Sequence, residues 1–90
     1  MIDGVGFTLD GLEEYISWQT DDKRIIKKIN KLIADIIRNG NIGMGHTEPL
    51  KGALSGYWSR EVDKKNRLVY RILDYNGVEI VHCRAHYEDK

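Results

Sequence analysis

The chain has 90 residues, 41% of them hydrophobic and 31% charged, which predicts one soluble globular domain over residues 1–90 and argues against disorder. Fourteen basic and fourteen acidic side chains cancel, so bulk charge does not drive nucleic-acid binding and any anion site must come from local sorting. A single cysteine, Cys83, excludes an internal disulfide and a cysteine-based zinc site; no apolar run approaches the ~20 residues of a bilayer span and no signal peptide opens the chain, so a cytoplasmic protein with no membrane partner is expected.

Residues 1–8 carry Val5 and Phe7 in strand alternation, weakened by Gly4 and Gly6. Leu9 to Trp18 reads as a helix capped by Thr8 or Asp10, with Leu12, Tyr15 and Ile16 on its inner face and Gly11 as a weak point. Asp21 to Asn39 is the stronger helix. Ile25, Ile26, Ile29, Leu32, Ile33, Ile36 and Ile37 form one wide stripe, Thr20 or Asp21 supplies the cap, and Gly40 ends it. Lys23, Lys27, Lys31 and Arg38 fall mostly on the solvated side. The short connection predicts two antiparallel helices.

Asn39 to Ser55 reads as a loop, broken by Gly40, Gly43, Gly45, Pro49 and Gly52. Tyr57 to Val62 reads as a strand turning through Asp63–Asn66. A two- or four-residue loop there sets Arg60 opposite Val69 and Trp58 opposite Arg71, whereas a three-residue loop would reverse their faces. The stretch Arg67 to Tyr87 reads as two strands folded on Asn76-Gly77, the dipeptide of a type I′ turn. That turn sets Arg71 opposite His82, Val69 opposite Arg84 and Arg67 opposite His86 on one face. Ile72 with Val81, Tyr70 with Cys83 and Leu68 with Ala85 fill the other, apolar face. Helices followed by hairpin-linked strands give an α+β fold, two N-terminal antiparallel helices packed on one face of a small antiparallel sheet.

The open face would then collect Arg67, Arg71, Arg84, His82 and His86, joined by Arg60 and Trp58. Two readings stand side by side: a polyanion site, or a solvated outer face. His46, His82 and His86 lack the cysteine or carboxylate spacing of a zinc site, and no phosphate-binding loop or nucleophile elbow occurs, so no metal or cofactor is expected. His86 suits acid or base work near neutrality, and Arg67 beside it suits a phosphate. Glu48, in the glycine-rich loop, is either a carboxylate partner for them or an ordinary surface residue.

The run HTEPLKGALSGYWSREVDKKNRLVYRI (46–72), followed by CRAHY (83–87), resembles the YoeB/Txe branch of the RelE/ParE toxin superfamily. Members typically read KPEPLK, LSGYWSRR, HRLVY and a final HY. The helical segment YISWQTDDKRIIKKINKLIADI (15–36) is also similar, so the likeness spans roughly Leu12 to Tyr87. It implies the RelE/ParE-like (microbial ribonuclease-like) fold and a toxin of a type II toxin–antitoxin pair. Such toxins cut mRNA in the ribosomal A site without a metal. The 2′-OH attacks the adjacent phosphate, which needs RNA rather than DNA.

By the same resemblance Glu48 is the general base and His86 the general acid. Arg67 stabilises the phosphate, Tyr87 orients the substrate, and Lys51 and Arg60 are basic positions near the scissile phosphate. Arg71 and Arg84 of the cationic face join them as RNA contacts. The implied partners are a YefM/Axe-like antitoxin, the ribosome with its mRNA, and a second copy in a homodimer. Alternative classes are a ParE-like gyrase inhibitor and a decayed toxin that only binds its antitoxin. Departures from the pattern are Glu61 for the second Arg of WSRR, Lys65-Asn66 before RLVY, His46-Thr47 for Lys-Pro, residues 39–42 for a DPF-type turn, and the tail Glu88-Asp89-Lys90.

Overall fold

The computed structural model describes residues 2–84. His86, Tyr87 and the acidic tail lie outside the described residues, as does the expected Arg67–His86 pairing. The elements are β1 (Gly4–Phe7), α1 (Leu9–Asp21), α2 (Lys23–Asn39), β2 (Glu48–Pro49), β3 (Trp58–Glu61), β4 (Arg67–Ile72) and β5 (Gly77–His82), with a 3₁₀ turn at Gly52–Leu54. They form one five-stranded sheet in the order β1-β5-β4-β3-β2. All neighbours are antiparallel except β1 and β5, which run parallel from Gly4↔Gly77 to Phe7↔Ile80. The weak N-terminal strand forms because β5 offers it a partner edge. Asp3 N donates to Asn76 O at 2.8 Å before it, and Thr8 N to Ile80 O at 2.9 Å after it.

Thr8 then starts α1, its hydroxyl accepting from Gly11 N at 3.1 Å. The inner face of α1 is Gly11, Tyr15 and Trp18, and Leu12 and Ile16 are exposed instead of buried. Gly11 explains the rotation. A Cβ there would lie 2.5 Å from Ile80 O, so the helix approaches β5 most closely at its one residue without a side chain. Asp22 both ends α1 and caps α2, its carboxylate accepting from Arg24 N and Ile25 N. Gly40, at φ 67°, closes α2 as expected. Ile26, Ile29, Leu32 and Ile36 of α2 are buried with Leu68 and Tyr70 of β4 and Val78 and Ile80 of β5. Both helices thus pack on one face of the sheet, and the fold is the α+β architecture expected.

Both hairpin registers differ from expectation. Asn76 has φ 63°, but Gly77 is not left-handed, so the turn is not type I′. Asn76 N donates to Leu73 O and Leu73 N to Gly77 O, enclosing a three-residue loop, Asp74-Tyr75-Asn76. Gly77 is needed for space: a Cβ would meet the Tyr75 ring at 2.9 Å. The pairs become Ile72↔Val78, Tyr70↔Ile80 and Arg71↔Glu79. This register buries Val78 and Ile80, where the expected one would have buried Glu79. A bulge between Val69 and Tyr70 then shifts the pairing to Val69↔His82. Past it Cys83 is buried, as expected, whereas the expected Arg71–His82 and Val69–Arg84 pairs do not form.

The β3–β4 turn is also a three-residue loop. Asp63 Oδ1 accepts from Lys65 N and Asn66 N, and Val62 N donates to Asn66 O. The register is Trp58↔Tyr70, Ser59↔Val69, Arg60↔Leu68 and Glu61↔Arg67. Arg60 and Trp58 therefore face the core, and Ser59 and Glu61 take the outer positions assigned to them.

Candidate active site

The outer face has a continuous row across four strands, Glu48 on β2, Ser59 on β3, Val69 on β4 and His82 on β5. Arg67 stands two residues from Val69 on the same face of β4. Glu48 reaches the row because Glu48-Pro49 pairs with Ser59 and Trp58, a short edge strand inside the stretch expected to be loop. Proline is tolerated there, at a sheet edge.

Arg67 Nε donates to Ser59 Oγ at 2.9 Å, and its Nη2 donates to the His46 carbonyl at 3.0 Å. Both acceptors are neutral oxygens, so they orient the guanidinium without neutralising it. His46 Nε2 lies 3.0 Å from Glu48 Oε1, and both side chains are exposed. Glu48 and Arg67, expected together, are thus linked on one face through His46 and Ser59. The expected set did not include Ser59. The Asx-type turn at Asp63–Asn66 is the signal for its place, since that turn fixes the loop length and hence the phase of β3.

The other basic residues divide. Lys51 is exposed, three positions beyond Glu48. Arg71 remains on the outer face, its Nε 2.9 Å from Glu79 Oε1 and its guanidinium 5.3 Å from the Tyr57 ring centre. Arg84 does not join that face. It lies 4.1 Å over the Trp18 ring and donates to Ser17 Oγ and Asp21 Oδ2 at the end of α1, where a cation also suits the helix dipole.

Arg60 is fully buried. It donates to Asp35 Oδ2, Met44 O, Gly40 O and Tyr70 Oη. The side chain expected to meet RNA instead ties the Gly40–Met44 loop to α2 and the sheet. Its hydrogen bond holds the Asp35 carboxyl below the usual carboxylate range, against the opposing effect of burial. Burial pushes the Tyr70 hydroxyl up, and Arg60 partly offsets this.

Glu14 of α1 closes the end of β5. Its Oε1 accepts from Cys83 N at 2.7 Å and Arg84 N at 3.0 Å, and its Oε2 lies 3.0 Å from His82 Nδ1. Burial, then the Glu14 charge, pushes the Cys83 thiol up to about 12, with Arg84 opposing. That thiol is neutral and inert, as its inward position predicts.

A family model described as "YoeB-like toxin of bacterial type II toxin-antitoxin system" matches residues 7–87. Toxin YoeB of Streptomyces coelicolor is 49% identical over 83 residues, covering 92% of this chain and 98% of that protein. The structure of a YoeB/ParE toxin from Agrobacterium tumefaciens superposes with a TM-score of 0.91 at 40% identity, covering 94% of this chain and 100% of the other. A toxin chain in the heterotetrameric YoeB-YefM complex from Staphylococcus aureus gives a TM-score of 0.86 at 40% identity, covering 97% and 99%.

Proposed function

Because the chain belongs to the YoeB family of type II toxins, we propose that it is a ribosome-dependent endoribonuclease that cuts mRNA in the A site and so stops translation. The observation that carries this reading is the meeting of Glu48 and Arg67 on one sheet face, through Ser59 and His46. A carboxylate beside a guanidinium oriented by neutral acceptors suits proton removal next to a phosphate that gains charge.

In the proposed reaction Glu48 takes the proton of the 2′-OH, and the 2′-oxygen bonds to phosphorus. The bond to the 5′-oxygen breaks, and His86 protonates that leaving oxygen. The products are a 2′,3′-cyclic phosphate and a 5′-OH. Arg67 stabilises the charge on the five-coordinate phosphate, and Tyr87 orients the substrate. Lys51 and Arg71 contact the RNA backbone; buried Arg60 and α1-bound Arg84 are left to structural work. No metal or cofactor takes part. A YefM-type antitoxin, the kind of partner found in the Staphylococcus aureus complex, would hold the toxin inactive in the cytoplasm by covering this face.

The test is purified protein added to programmed ribosomes, with mRNA 5′-OH ends mapped. Cleavage in the A site, abolished by Glu48→Ala and by His86→Ala, is the expected result. Gyrase inhibition without cleavage, or antitoxin binding with no activity, would replace this reading.

A further inference from the structure

His46 touches both proposed catalytic groups from a single backbone position. Its ring Nε2 lies 3.0 Å from Glu48 Oε1, and its carbonyl accepts from Arg67 Nη2 at 3.0 Å. The residue has φ 52°, a left-handed conformation costing on the order of 1–3 kcal/mol outside glycine, which persists only where the surroundings impose it. Here they do. Glu61 N donates to Gly45 O, and the buried Arg60 donates to Met44 O, so both residues before His46 are fixed from β3.

The ring itself is 70% exposed, and Lys28 and Glu61 line the same cleft. An exposed ion pair contributes at most about 1 kcal/mol to stability, which does not offset the backbone cost. Stability therefore gives no reason for a strained residue holding an exposed pair. Aiming a carboxylate does.

We propose that His46 is a positioning residue of this site: its ring aims the Glu48 carboxylate at the 2′-OH while its carbonyl sets Arg67 for the phosphate. This rests on the ribonuclease reading above and deepens it. The side chain and the main chain of one residue thereby fix the spacing between base and phosphate clamp.

The experiment separates the ring from the carbonyl. His46→Gly adopts the left-handed backbone freely and keeps the carbonyl for Arg67, so only the ring is lost. His46→Asn, which also tolerates that conformation, is a second loss variant. His46→Lys restores a nitrogen donor to Glu48. Single-turnover mRNA cleavage is measured over a range of programmed-ribosome concentrations, with thermal unfolding of each variant as the folding control.

His46→Gly and His46→Asn are expected to lower the saturating rate about tenfold with the half-saturating concentration changed less than about twofold. His46→Lys is expected to recover to within about threefold of the wild type. A glycine variant as fast as the wild type overturns the proposal. So does a loss confined to half-saturation, which would make the ring a substrate contact, or a lysine variant as slow as glycine. A wild type that cleaves nothing overturns the ribonuclease reading, and the role of His46 with it. A cleaving wild type beside an unaffected glycine variant overturns the role of His46 alone.

Discussion

Two arginines on neighbouring strands do opposite work. Arg67 spends its donors on neutral oxygens at the surface, and Arg60 spends its own on a carboxylate and two carbonyls in the core. Arg67→Ala is expected to slow A-site cleavage on the order of 10²–10³-fold, as for loss of one oxyanion-hole donor, with little change in unfolding midpoint. Arg60→Met is expected to destabilise the fold by about 3–5 kcal/mol in urea titration, because Asp35 keeps a charge that has lost its partner. Asp35 also sets an acid limit. Its folded pKa lies below the ordinary 3.8, so its contribution is fully present above that value and is lost as pH falls through the folded pKa. Asp35→Asn should flatten that acid limb of the stability profile. Glu48 and Arg67 were legible from motif order. The role of Arg60 was not, because one residue of loop length at Asp63–Asn66 decides which face of β3 it takes.

Elements show the same sensitivity to local geometry. The α2 stripe, its Gly40 end and the Thr8 cap of α1 followed from spacing and residue type, since those signals are local. The face of α1 did not. Leu12 and Ile16 outweigh Gly11 in any hydrophobic pattern, yet close approach to Ile80 O puts the glycine inward. Gly11→Ala should raise intrinsic helix propensity by nearly 1 kcal/mol and still destabilise the protein by about 1–3 kcal/mol in urea titration, because its Cβ meets a backbone oxygen. Asn76-Gly77 correctly marked a turn but not its type, because Tyr75 occupies the space over Gly77 and asparagine alone fills the left-handed position. The register shift that follows separates Arg71 and Arg84 from the pairs expected of them.

At the scale of the whole molecule, Cys83 reports on global opening. It is fully buried where α1, β4 and β5 meet, with its thiol pushed up to about 12. Iodoacetamide labelling at pH 8 is expected to be roughly a thousandfold slower in the native protein than in urea, tracking global unfolding rather than local fraying. The sheet also places the ends of the described chain side by side, Val5 against Val78 and Phe7 against Ile80. Such long-range pairing folds slowly, because the loop must close before the contact stabilises anything.

The parallel β1–β5 pair sets a clock on synthesis. At roughly 5–20 residues per second, about 4–15 seconds separate the making of Val5 from that of Val78. Until then β1 has no edge to join, α1 has no strand to settle on, and the isoleucine stripe of α2 lacks half its cover. The row from Glu48 to His82 is likewise incomplete until β5 arrives. On the proposed ribonuclease reading, the chain has no complete site while it is being made, and a partner synthesised alongside has those seconds in which to arrive first.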